Sequence, residues 1–324
     1  MARLAPFRSA MYTRWIAALP REVDRRIRLF AWIALVTQLA NVASGAAVRL
    51  TGSGLGCPSF PECTPGSLVV TPEMGIHGLI EFGNRMVAVL LTLICVTVFV
   101  LVVRLRRSRP ELFWLAFSMA LGIPAQAIIG GMSVLSGLNP YVVGLHFVLS
   151  VVLIVLSTVL LYRVYDTPGH YRVAAQPAMW WSSVAVCVTG AISVVIGIVT
   201  TGAGPHAGDA AAPRNGLNPA ILEHVHSYPA YAMLAASLIV LYLAWNASER
   251  TRRYAVALLG LEAVQILVGV VQARLGVPAL LVGVHMILAC LLAIVATALV
   301  LSLMRPTQNG SSGSIPTATK STVR

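Results

Sequence analysis

Charged side chains are scarce in this 324-residue chain: Asp, Glu, Lys and Arg make up 10% of it, against 57% hydrophobic residues. A soluble globular domain carries about 25% charged residues, so the composition excludes an aqueous fold and fits a bilayer. A leader-cleavage site is also missing. The first apolar run is too long and too late for a signal peptide, and no small-residue cleavage motif follows it, so this run is expected to stay in the protein. Acidic residues are the rarer charge, 11 against 23 Lys and Arg, for a net charge of +12. Such a surplus would suit nucleic acid only if it gathered on one face.

It sorts by loop instead. Apolar runs of about 20 residues cover 29–50, 76–103, 112–135, 139–163, 179–201, 220–246, 253–273 and 278–304. With eight spans, 19 of the 23 cations fall on the side that holds both termini, and the other side keeps only Arg214, Arg274, Arg49 and Arg85. The positive-inside rule then puts both termini in the cytoplasm and the 51–75 and 202–219 loops outside, as expected of a multi-pass protein of the cell (plasma) membrane. Orientation accounts for the charge; the lipid bilayer is the implied partner and nucleic acid is not. The basic segment 1–28 precedes the first span, and the polar tail 305–324 is expected to be disordered.

The chain also repeats itself. Gln126 to Leu149 aligns without a gap on Gln265 to Leu288, with seven identities in 24 positions that include Gln126 with Gln265, three glycine pairs and His146 with His285. TGSG at Thr51 to Gly54 matches TGAG at Thr201 to Gly204, and Glu81-x-x-Asn84 matches Glu223-x-x-His226. The expected architecture is therefore an all-α integral membrane protein with two tandem four-helix bundles, 29–163 and 179–304, joined by a linker at 164–178. Each copy has an even number of spans, so the pseudo-two-fold axis runs along the membrane normal.

Asn84, His146, His226 and His285 all fall one to two turns inside the outer end of their runs. Inward side chains on facing helices build cofactor sites in bundles, and a histidine pair from two helices holds six-coordinate haem. A transition metal could also take imidazoles, but each half lacks the further ligands of a closed zinc site. Carboxylate and guanidinium groups at Glu81 and Arg85 are costly in hydrocarbon unless paired or used.

Taken together, the two halves, the E-x-x-[HN]-R segment, the G-x-H starts of the fourth and eighth runs, the cysteine pair in GCPSFPEC and the GPHAGD loop resemble the haem A synthases. The resemblance implies conversion of haem O to haem A for cytochrome oxidase, a haem b in the C-terminal half and a substrate haem in the N-terminal half. It implies His226 and His285 as ligands of the haem b iron, His146 as ligand or positioning group of the substrate haem, and Glu81 as the catalytic carboxylate. Water would be the oxygen source and the final electron acceptor is not written in the chain. Implied partners are haem O, haem O synthase and cytochrome oxidase assembly factors. The chain departs from the family at Asn84, where a histidine is frequent. His77 is a candidate replacement, but it lies two turns away, about 10 Å nearer the outer surface.

Plainer roles stand beside these. Interhelical hydrogen bonds would explain the histidines, though not the duplication of their position. Glu81 could merely pair with Arg85 at i, i+4. Arg49 and Arg85 could snorkel, yet both lie on the arginine-poor side, where haem propionates would be bidentate partners. His224 falls on another helix face from His226, His206 lies in a loop, and His170 reads as solvated. Cys95, Cys187 and Cys290 read as core residues. Cys57 and Cys63 read as a structural disulfide in an oxidising compartment or as a redox-active pair. Two other functions use the same features: a plain electron-transfer cytochrome b, which needs no carboxylate, and a duplicated-repeat transporter, which would place its polar layer at mid-span.

Overall fold

The computed structural model describes residues 19–307. Eight helices account for most of them: α1 (Arg25–Leu50), α2 (Gly75–Val102), α3 (Pro110–Leu135), α4 (Pro140–Val164), α5 (Pro177–Ala203), α6 (Pro219–Ala244), α7 (Glu249–Arg274) and α8 (Ala279–Ser302). All eight are long and apolar enough to cross a membrane, which makes this a multi-pass membrane protein. The apolar runs set their lengths, and no end differs from the sequence expectation by more than four residues.

Local chemistry sets the starts. Asp24, Asn139, Asn218 and Ser248 each accept a hydrogen bond from a first-turn backbone N–H, the usual way to satisfy an orphan donor. Pro110, Pro140, Pro177 and Pro219 occupy first turns, where a missing N–H costs nothing. The exits of α3 and α7 share one backbone shape, with positive φ at Gly137 and Leu138 and again at Gly276 and Val277. For the β-branched Val277 this is a rare conformation, and its recurrence at the matching place expresses the sequence repeat in the backbone.

Helices α1 to α4 close a ring in which α1 packs on α2, α2 on α3, α3 on α4 and α4 on α1; α5 to α8 close a second ring in the same order. The rings meet where α4 packs on α8, flanked by α1 against α8 and α4 against α5. One core, including Leu91, Leu112, Met119 and Ile154, fills the first ring, and another, including Val186, Val240, Leu258 and Leu299, fills the second. Tyr162, Ala298 and Leu301 fill the seam between them. Trp114, Leu121, Ile128 and Leu135, seven residues apart along α3, are each more than half exposed, a stripe suited to acyl chains.

One element departs from an all-helical reading. Strand β1 (Tyr171–Val173) pairs antiparallel with β2 (Met304–Pro306), and both the N–H and the hydroxyl of Thr307 donate to the carbonyl of His170. Arg163 lies over the Tyr171 ring at 3.4 Å and Ala174 donates to Leu303, so the connection and the chain leaving α8 satisfy each other's backbone groups. Residues 304–306, placed by the sequence at the border of a disordered tail, are therefore ordered. Residues 1–18 of the basic segment and 308–324 of the tail lie outside the described residues.

Candidate functional site

Three imidazoles share one local design. His146 on α4, His226 on α6 and His285 on α8 each lie against a glycine of the preceding helix, respectively Gly130, Gly197 and Gly269. A Cβ on these glycines would come within 2.9, 2.8 and 3.2 Å of the respective ring Cε1, so the bare backbone is what gives the rings room. The amides of Gln126 and Gln265 donate to the backbone carbonyls of His146 and His285 at 3.0 and 3.2 Å. Among the described residues, Nδ1 of all three histidines is buried and has no hydrogen-bond partner.

The second ring brings two of them together across its diagonal, from α6 and α8. The ring centroids of His226 and His285 are 6.2 Å apart with planes at 66°. That span is close to two metal–nitrogen bonds of about 2.0 Å each plus half an imidazole on either side, a separation at which two imidazoles could share one iron. No cluster of three or more His, Cys, Asp or Glu able to hold a bare metal ion occurs among the described residues. The corresponding diagonal of the first ring joins α4, with His146, to α2, with Asn84. Asn84 is half-buried and its Oδ1 accepts from Ser44 at 2.7 Å, so its oxygen is engaged by α1.

Glu81 is 4% exposed, and both of its oxygens are held. Oε1 accepts from Arg85 at 2.8 Å and Oε2 from the backbone N–H of Cys57 at 2.7 Å. Arg85 also donates to the carbonyls of Cys57, Ser59, Pro61 and Glu62. One guanidinium thus threads the whole 57–62 loop, whose Cys57 and Cys63 form a buried disulfide. Phe60 of this loop packs on Gly131 of α3, beside the Gly130 that seats His146. The loop starts where Gly56 lies against the backbone of His77 and Gly78 with no space for a Cβ.

His77 is exposed and its Nδ1 pairs with Ser53 at 2.8 Å, above Glu81 rather than beside Asn84. Arg49 donates to the carbonyls of His206 and Thr201 at 2.6 and 3.3 Å, and Gly54 donates to Gly208 at 2.8 Å. His206 in turn bonds the carbonyl of Val277. The 51–75 and 202–219 loops are tied to each other and to the exits of α3 and α7 over a small apolar cap of Leu138, Ala207 and Ala212. His224 bonds the Ala220 carbonyl of its own helix. Sequence reasoning saw Gln126, Gln265 and two of the seat glycines as repeat identities without assigning them a job. It gave Gly197 no signal at all, because only the packing of α5 on α6 shows what it faces.

The family described as cytochrome oxidase assembly protein (COX15-CtaA) matches residues 28–297. The chain is 30% identical over 181 residues to the heme A synthase of Lysinibacillus sphaericus (strain C3-41), covering 54% of this chain and 57% of the relative. It is 30% identical over 142 residues to that of Listeria monocytogenes serotype 4a (strain HCC23), covering 43% and 46%, respectively. To the heme A synthase of Geobacillus thermodenitrificans it is 28% identical over 141 residues, 43% of this chain and 44% of the relative. The chain spans about half the length of the curated relatives it matches.

Proposed function

The chain belongs to the cytochrome oxidase assembly protein family (COX15-CtaA), and from that premise we propose that it oxidises a methyl group of haem O to the formyl group of haem A. The observation that carries this reading is the facing pair His226 and His285, 6.2 Å between ring centroids. In it, α5 to α8 form the haem b half and α1 to α4 the substrate half, with His146 beside haem O. Haem b, when bound, supplies a one-electron relay toward an acceptor outside the chain.

The remaining chemistry belongs to side chains. His226 and His285 hold the haem b iron, and the Gly197 and Gly269 seats fix their ring planes. Methyl oxidation with water as oxygen source releases protons and electrons in equal number, so a base is required beside the substrate. Glu81 takes that role: each of its oxygens has lone-pair capacity beyond the one bond it accepts, and the Arg85 and Cys57 donors fix its orientation. Asn84 leaves the α2 side of the substrate without an imidazole, and His77 remains an outer contact. Arg49 and Arg85 bring positive charge to the propionates of the haems while they grip loop carbonyls.

A setting in the plasma membrane with both termini cytoplasmic and the cystine loop outside completes the reading. Haem O synthase would deliver the substrate and cytochrome oxidase assembly would consume the product. The test is to express the chain in cells supplied with haem O and extract the pigments. Haem A is expected. Two equivalent b haems and no haem A would instead mark an electron-transfer cytochrome b.

A further inference from the structure

Glu262 lies near the middle of α7 and is 4% exposed, yet neither a seat nor a loop uses it. Oε1 accepts from Ser237 of α6 at 2.6 Å. Oε2 is buried with no hydrogen-bond partner, as is Oε1 of Gln265, one turn away on the same face. No ion pair among the described residues includes Glu262. A lone carboxylate at this depth is costly unless it is neutralised by a proton or faces a positive charge. Carboxyl and hydroxyl both belong to the second ring alone, because the repeat puts Ile123 and Cys95 at the matching places of the first.

Its position relates it to the histidine pair. Gln265 bonds the carbonyl of His285, and Glu262 sits three residues deeper, about 4.5 Å along the helix. The helices packed against α7 are α6 and α8. On α6, Ser237 meets the carboxyl and His226 stands eleven residues toward the loop end. On α8 the titratable groups are His285 and Cys290, and Cys290 packs into the core of the first ring. Ser237 thus sets the carboxyl about 16 Å along α6 from His226, and on these two helices the facing His226 and His285 are where a cation would be held.

We propose that Glu262 is a proton-exchanging acid coupled to the oxidation state of the haem in α5 to α8, ionised when that haem is oxidised and protonated when it is reduced. The inference rests on the haem b reading above. For each electron such a haem would take up, the Glu262 carboxylate would bind one proton, and it would release that proton when the electron passed to the acceptor outside the chain. Coupling of this kind lowers the charge moved through a low-dielectric interior. Glu262 thereby acts as a positioning residue for charge and does not touch the reacting methyl group.

The test is a redox titration of the purified, haem-loaded full chain over a range of pH, with Glu262→Gln and Ser237→Ala alongside. The wild-type midpoint should fall as pH rises, by up to about 59 mV for each tenfold fall in proton concentration. Glu262→Gln should flatten that dependence and Ser237→Ala should move its window. Reduction should also produce a carboxylic acid band in the infrared difference spectrum that Glu262→Gln removes. If the Gln variant does not load haem, Glu262→Asp keeps the acid and should shift the band. A pH-independent wild-type potential, or a dependence that survives in Glu262→Gln, overturns the inference alone. A chain that binds no haem b overturns the reading above and this inference with it.

Discussion

The backbone N–H of Cys57 donates to Oε2 of Glu81 over 2.7 Å, so the cystine loop and the buried carboxylate form one unit. Arg85 closes that unit from the other oxygen and from four loop carbonyls. Any account of Glu81 must therefore include the loop that aims it.

Glu81→Gln keeps the size of the side chain and removes the base. Haem A formation should fall about 100- to 10,000-fold, the range that positioned acid–base groups contribute, while the haem b spectrum persists and haem O or its alcohol accumulates. Unchanged haem A yield in pigment extracts would remove Glu81 from the mechanism.

Arg85→Ala strips the loop of its shared donor, and bonds to a charged donor are worth about 1.5–3 kcal/mol each. Protease added to the outer face should then cut between residues 57 and 63, and haem b should remain. Alkylation without reductant should leave Cys57 and Cys63 unlabelled in wild type. An uncut Arg85→Ala loop would mean that the disulfide alone holds it.

The glycine seats give a rank order. Gly197→Ala pushes a Cβ to 2.8 Å from His226 and Gly269→Ala to 3.2 Å from His285. Overpacking of this kind costs about 1–3 kcal/mol, so loss of the bis-histidine signal should be greater for Gly197→Ala. His226→Ala and His285→Ala should each abolish the signal. Gly130→Ala should lower haem A yield and leave haem b intact. Haem b loss from Gly130→Ala with none from Gly197→Ala would reverse the assignment of the two rings.

A reporter fused after Arg324 should be active in the cytoplasm. Activity only outside the cell would invert the orientation on which the outer placement of the cystine loop depends.

The spans were legible because hydrocarbon thickness and the apolar runs impose the same length, and the positions of His146 and His285 because duplication repeats them. The partners of Glu81 were half legible. Its i, i+4 relation to Arg85 is helix geometry, whereas the donor at Cys57 comes from a loop that folds back over the helix start, which no periodicity records. Glu262 was hidden by its surroundings, since one carboxyl in an apolar run hardly changes the hydropathy. The β ribbon was hidden because each strand is three residues long and neither has a pattern apart from the other.

That ribbon joins the segment before α5 to the segment after α8, so the two ends of the second ring are neighbours in space. A chain opened between Asp166 and His170 would keep both strands on one fragment, with the α4–α8 seam left to rejoin the pieces. The molecule is in this sense already divisible. A gene split at that point should yield two polypeptides that reassemble in the bilayer and copurify, because the ends of the second ring are already stitched.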